Sequence, residues 1–564
     1  MLKLRFHWLV GAALVASAAV QAADGPAAIA SVPKLSIADY ERHIRVLASD
    51  EFEGRKPGTA GERKTIDYLV EQFKALGLVP VKGDSYLQQV PIVEITAGSD
   101  ASLKLGANDL QYGRDMVVWT KRLVPEVKLE DSELVFVGHG VVAPEYGWND
   151  YAGIDMRGKT AVILINDPGF ATDDPKLFRG RAMTYYGRWT YKYEEATRQG
   201  AAGAIIIHDE IPAAYPWDTV QNSWMGPQLD MVAADGNQGR PAIEGWVTLA
   251  AGEKLLQASG HSYRELLLAA SKPGFKPVPL GQKASGALRN VIRRSNSANV
   301  LAMLPGSKYP NEYVFYMAHW DHLGRSLGRT GDNIFNGATD NATGTSGLLT
   351  IAKGFVDAKR KPERSVVFLA LTCEECGLLG SAYYVANPVV PLADTVAAFN
   401  MDAFHFRGPT RDVTVVGNGA SELEDYLAVA AKLQDRQLRE EPTPEKGFFF
   451  RSDHFNFAKG GVPSLYIELG VDDREKGIEW GRARNAEYIT NDYHKPSDEF
   501  RPGADLRGGM ENIELFYAVG AQIANERRFP NWRANSEFRA ARDRSRATAG
   551  STATGAAASG APAR

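Results

Sequence analysis

Histidines and acids gather in five short stretches in the second half of this 564-residue chain. His319, Asp321 and His322 stand in "AHWDHLG", and Asp340 in "GATDNATG". Glu374 and Glu375 are adjacent in "LTCEECGLLGS", between the only two cysteines, Cys373 and Cys376. Asp402 follows in "NMDAF" and His494 in "YHKPSDE". Mixed imidazole and carboxylate ligands suit zinc, with cobalt or manganese as substitutes. Two histidines, two terminal carboxylates and one bridging carboxylate make the inventory of a two-metal site. Adjacent glutamates can then divide the work, one binding metal while the other moves a proton.

Each residue has a structural reading too. Asp340 could begin a helix, the two glutamates could complement a helix dipole, and the histidines could be hydrogen-bonded in a core. Those readings do not place all of them at one edge of one sheet. The cysteines cannot make a four-cysteine zinc site. A redox pair would expect a thioredoxin-like setting, and two acids between the thiols disfavour the thiolate. They are read as packing residues, with an oxidised pair as the alternative.

The elements that must position these residues run from about Ser297 to Arg528, where strands alternate with helices. "EYVFYMAHWD", "SVVFLALTCEE" and "TVAAFNMDA" are strands with the candidate residues at their carboxyl ends, where open α/β sheets bind ligands. The expected fold is α/β, a mostly parallel central sheet with helices on both faces. Residues 126–281 carry short β-branched runs and read as a separate β-rich insert. Residues 23–125 and 282–530 then form the catalytic domain, and 531–564 a tail. The tail's Ala/Gly/Ser/Thr-rich end cannot bury a core.

The stretches "AHWDHLG", "GATDNATGTSGLL", "EECGLLGS", "NMDAF" and "YHKPSDE" resemble, in order, the five metal-site motifs of the dizinc aminopeptidase family. That family includes aminopeptidase Y and aminopeptidase S, with glutamate carboxypeptidase II and transferrin receptor as relatives. The resemblance covers most of residues 36 to 530, and residues 126–281 look like its inserted protease-associated domain. It implies two zinc ions per chain bridged by Asp340. His319 and Asp402 would complete one site, and Glu375 and His494 the other. Glu374 would be the general base, and the Asp321 carboxylate would orient the His319 imidazole. His322 has no ligand role and is read as structural or at the rim. "FFFRSDHFNFAKGGVPSLYIELG" would wall the substrate cleft, with Asp453 and His454 outside the ligand set.

The implied activity is hydrolysis of N-terminal residues from peptides by a metal-bridged hydroxide. A carboxypeptidase or dipeptidase of the same fold is the first alternative, since Arg407 and Arg451 lie in plausible cleft loops and could hold a substrate carboxylate. A one-metal glutaminyl cyclase and a non-catalytic receptor follow.

The formal net charge of −4 and pI of about 6.3 advertise no basic face for nucleic acid. The start has the anatomy of an export signal. Lys3 and Arg5 precede an apolar run from Phe6 to Val20, and "VQA" ends at Ala22. Cleavage after residue 22 is expected, giving a periplasmic or secreted protein without a membrane span.

Overall fold

The computed structural model of the protein describes residues 29–326 and 330–547. The expected signal segment 1–22 and the chain from residue 548 lie outside the described residues.

Eight strands build the catalytic sheet: β1 (Leu87–Ala97), β2 (Val278–Leu304), β3 (Tyr309–His319), β4 (Arg364–Leu371), β5 (Thr395–Asn400), β6 (Asp412–Val415), β7 (Gln437–Glu440) and β8 (Ser464–Leu469). Their order is β7-β6-β8-β5-β3-β4-β2-β1. The central four, β4, β3, β5 and β8, are parallel. β2 and β6 flank them antiparallel. β4 and β5 are buried at every residue, as parallel strands covered on both faces must be.

Period-two alternation sends the side chains to two cores. Val366, Phe368 and Ala370 face helices α1 (Ile37–Leu47), α2 (Ala60–Ala75) and α3 (Thr343–Asp357). Val367, Leu369 and Leu371 face the other way, onto Tyr384 of α4 (Leu379–Ala386) and Phe457 of α5 (His454–Lys459). The first helix shows why the sequence folds so locally. Ser36 caps α1 by accepting the Asp39 N–H at 3.1 Å. Tyr40, Ile44 and Leu47 then share one face at helical spacing and are buried.

The insert is a second sheet, in which Glu126–Phe136 pairs with the first half of β2 and continues through Thr160–Leu164, Gly203–His208 and Ile243–Thr248. Its extent corrects the expected boundaries of 126 and 281. Ala101, Leu103, Leu105, Met116, Val118 and Leu288 all share a core with Val162 and Ile205. β2 is one 27-residue strand serving both sheets. Gly281, at φ +64°, marks a register shift between Pro279 and Lys283 rather than a domain edge. The insert also returns a strand, Pro227–Met231, to pair with β1.

The expected tail begins later than residue 531. Trp532 is fully buried and its indole N–H donates to the Gly461 carbonyl at 3.1 Å. The buried Arg542 guanidinium donates to the carbonyls of Leu392 and Thr395 at 3.2 and 2.9 Å. Residues 531–547 therefore belong to the catalytic domain.

Candidate metal centre

The parallel strands deliver the candidate residues to one edge. His319 ends β3, Glu374 and Glu375 follow β4, and Asp402 follows β5. Asp340 lies in the turn Ala338–Ala342 that leads into α3, and His494 follows the helix Gly477–Asn491.

Their donor atoms converge in two linked groups. His319 Nε2 lies 3.3 Å from Asp340 Oδ1 and 3.2 Å from Asp402 Oδ1. His494 Nε2 lies 3.2 Å from Asp340 Oδ2 and 3.1 Å from Glu375 Oε2. Asp340 thus turns one oxygen to each group. Donors bound tetrahedrally to a single zinc at about 2.0–2.1 Å stand about 3.3 Å apart. The donor set and its spacing therefore fit zinc, and Asp340 is shared by the two groups. All five ligands expected from the sequence are brought together.

Glu374 stands beside the first group, where it, His319 and Asp402 each offer an atom within 4.8 Å of the others. Its backbone N–H donates to Asp321 Oδ1 at 3.1 Å. Here the structure corrects an expectation. His319 Nδ1 faces the Asp321 backbone carbonyl at 3.1 Å, while the carboxylate is 3.8 Å away. Asp321 fixes the imidazole through its main chain and the Glu374 backbone N–H through its side chain.

Of the two readings of His322, structural or at the rim, burial rules out the rim. His322 is buried, with Nδ1 2.6 Å from Glu375 Oε1. It also forms a candidate ligand group with Asp340 and Glu375. His494 reaches both carboxylates at ligand–ligand spacing, whereas His322 makes a direct hydrogen bond to one. His322 therefore orients Glu375, the part that partners of ligand carboxylates commonly play.

Asp453 stays outside the ligand groups, its Oδ1 accepting the Ser381 hydroxyl at 2.6 Å. His454 is buried among Phe449 and Tyr466, with ring centroids 4.6 and 4.9 Å away. Arg407 is not a cleft residue. It is buried, donating to the carbonyls of Gly481, Leu469 and Gly470 at 3.0, 3.3 and 2.7 Å.

The electrostatics suit cation binding. Burial opposes charge on Asp340, but the imidazoles of His319 and His494 overcome it and hold the carboxyl well below its usual range. Burial lowers His494, yet Glu375 and Asp340 raise it to about 10. The carboxylates thus favour positive charge on the imidazoles, proton or metal alike. Burial, then Asp402, Glu375 and Asp453, push Glu374 well up, with His319 opposing. A carboxyl so placed binds a proton readily.

Three supporting residues escaped the sequence reading. Buried Arg55 donates to the carbonyls of Trp320, Leu47, Asn336 and Gly337 at 2.9, 2.6, 2.6 and 2.9 Å. It clamps the loops of His319 and Asp340 together. Asp498 accepts the N–H groups of Thr339 and Asp340 at 3.0 and 3.1 Å. The Ser452 hydroxyl donates to Asp402 Oδ2 at 2.6 Å. Asp498 lies four residues after His494 within the same quoted motif, and Ser452 lies within the stretch expected to wall the cleft.

The insert leans on this side of the catalytic domain. The Met183 N–H donates to the Pro444 carbonyl at 3.1 Å, Arg179 donates to the Asn418 carbonyl at 2.8 Å, and Glu194 pairs with Lys459 at 2.8 Å. Met183 shares a core with Phe449, Phe450 and Tyr466 of the expected cleft wall. The two cysteines are separate thiols, Cys373 packed among Val90, Ile92 and Leu379. No helix among the described residues is long and apolar enough to cross a membrane.

Residues 299–508 match the model of peptidase family M28. Among curated relatives, Aminopeptidase NAALADL1 of Rattus norvegicus is 24% identical over 244 residues, covering 40% of this chain and 31% of that one. Probable glutamate carboxypeptidase AMP1 of Arabidopsis thaliana is 23% identical over 492 residues, covering 79% and 63%. Probable leucine aminopeptidase 2 of Aspergillus oryzae is 23% identical over 445 residues, covering 77% and 73%. The match thus spans less than a third of the rat protein's length.

Proposed function

Residues 299–508 belong to peptidase family M28, and on that premise we propose that the protein is a two-zinc exopeptidase releasing N-terminal residues from peptides. The observation that carries this reading is the arrangement at Asp340. One of its oxygens faces His319, which also meets Asp402, and the other faces His494, which also meets Glu375. His319, Asp402 and Asp340 would hold one ion, and His494, Glu375 and Asp340 the other. Bound zinc supplies Lewis acidity, polarising a carbonyl and acidifying water.

The chain's own groups do the rest. Glu374 takes the proton of the attacking water and hands it to the leaving amine. Asp321 fixes the base through its N–H. His322 and Ser452 hold the ligand carboxylates in register. The insert, read as a protease-associated domain, covers one wall of the cleft. The chain's signal-like first 22 residues favour action in the periplasm or outside the cell. A receptor without catalysis would not require ligands and base to converge.

The test is release of amino acids from peptides with free and with blocked N-termini, before and after chelation. Activity should require the free amine, vanish with chelator and return with zinc or cobalt, with close to two ions per chain. Full activity at one ion per chain refutes the bridged pair. Cleavage that ignores N-terminal blocking refutes the aminopeptidase reading.

A further inference from the structure

The turn that presents Glu374 and Glu375 is framed by the chain's only two cysteines. It joins β4 to α4, and backbone bonds hold both of its ends. The Gly377 and Leu378 N–H groups donate to the Glu374 carbonyl at 2.9 Å, and the Leu379 N–H donates to the Cys373 carbonyl at 2.9 Å. Cys373 sits in the left-handed region at φ +53°, which a residue carrying a Cβ adopts at a cost. The bend folds the stretch back, and both cysteine side chains reach the same small core. Cys373 is fully buried there beside Val90, Ile92 and Leu379, and half-buried Cys376 packs against that group. The two thiols are hydrogen-bonded to each other.

Packing accounts for the place of either sulfur, and their mutual contact opens a covalent route besides. A disulfide sets the sulfurs about 2.05 Å and the Cβ atoms about 3.8 Å apart. Thiols in hydrogen-bond contact stand farther apart than that, so the bond draws the turn shut by a further step. Glu374 and Glu375 are the whole of the chain between the cysteines, and they take up the movement. In the dithiol form they already stand where the centre needs them. Glu375 Oε2 is 3.1 Å from His494 Nε2 and its Oε1 is 2.6 Å from His322 Nδ1, while the Glu374 N–H donates to Asp321 Oδ1 at 3.1 Å. A misplacement of about 1 Å in such groups costs about 10²-fold in rate.

We propose that Cys373 and Cys376 are an oxidation site, and that closing a disulfide between them switches the metal centre off. The oxidant is a small-molecule disulfide such as oxidised glutathione. Half-buried Cys376 meets it first. The Cys376 S–H bond breaks, a mixed disulfide forms, and the proton leaves with the first departing glutathione thiol. The Cys373 sulfur then attacks the Cys376 sulfur, its proton leaves with the second glutathione thiol, and the S–S bond closes. Two electrons and two protons have passed to the oxidant, whose own S–S bond is now two thiols. A dithiol reductant reverses both steps. This rests on the exopeptidase reading and adds a regulation of the same site. On the export reading, activity follows the supply of thiols around the protein.

The experiment equilibrates the zinc-loaded full chain, Cys376→Ala and Cys376→Ser in glutathione buffers running from reduced to oxidised. Intact mass, zinc affinity against a coloured chelator and kcat on a leucyl peptide with a free amine are read in each buffer. In the parent, the loss of two hydrogens should advance together with a ~10²-fold fall in kcat, and dithiothreitol should restore both. Zinc affinity should fall alongside, as the Glu375 oxygens leave ligand spacing. Neither variant can close the bond, so both should keep the reduced parent's kcat and zinc affinity throughout. A parent that stays a dithiol in fully oxidised buffer, or stops at the glutathione adduct, overturns the site. So does a disulfide that leaves kcat unchanged, or an equal loss of activity in both variants. A reduced parent that cleaves no peptide overturns the exopeptidase reading instead, and intact mass with zinc affinity then decides the oxidation site.

Discussion

Asp498 offers a direct measure of how far the support around a ligand governs metal affinity. It is 3% exposed, and its two oxygens accept the Thr339 N–H at 3.0 and 3.2 Å and the Asp340 N–H at 3.1 Å. Those bonds fix the turn that presents Asp340 to both metal positions. Asp498→Asn keeps the shape and one acceptor oxygen. The other oxygen becomes an amide NH2 facing a backbone N–H, donor against donor. The loss is about one charge-assisted bond, ~1.5–3 kcal/mol. If it falls on the arrangement of Asp340, zinc affinity drops roughly 10- to 100-fold, the range seen for partners of metal ligands. Competition for zinc against a coloured chelator reads the affinity, and melting curves at saturating zinc read the fold. A variant that loses the full stability yet holds zinc as tightly as the parent would refute the reasoning. Asp498 would then be a staple of the turn only.

The adjacent glutamates should separate by role. Glu374→Gln should retain zinc while kcat falls ~10²–10⁴-fold, and Glu375→Gln should lose an ion; metal analysis beside kcat decides, and the reverse pattern swaps the assignments. Changing both Cys373 and Cys376 to Ala should leave zinc content intact and cost ~1–3 kcal/mol of stability, read by denaturant unfolding; loss of an ion would give the thiols a chemical role. His139 is buried neutral, pushed down to about 3 by burial and then by Lys192. A depressed pKa contributes stability above the unfolded value of about 6.5 that is lost as pH falls toward the folded one. The stability of the parent relative to His139→Gln should therefore shrink by about 1.4 kcal/mol per pH unit between pH 6 and 4; a gap independent of pH in urea titrations would show that His139 takes up no proton on unfolding.

The sequence by itself determined the kind of centre and the edge that carries it. Few residue types bind zinc, and strands such as "SVVFLALTC" announce themselves by unbroken β-branched and apolar runs with acids just past their ends. Local pattern placed the candidate acids and histidines at strand ends, while the choice of His319, Asp340, Glu375, Asp402 and His494 as ligands came from the resemblance of their motifs. What surrounds them came from neither. Arg55 reaches the Trp320 carbonyl across 265 positions of sequence, and nothing local distinguishes an arginine that clamps carbonyls from one that solvates a surface. The same uncertainty applied to Arg407, buried on backbone. Asp321 holds His319 by a carbonyl every residue possesses, so its side chain gave no hint of that role. The insert's edges were hidden because one 27-residue strand runs unbroken through both sheets. Residue type fixes which chemistry is available. Only the tertiary structure decides which buried donor meets which acceptor, because that pairing depends on segments far apart in the chain arriving at the same place.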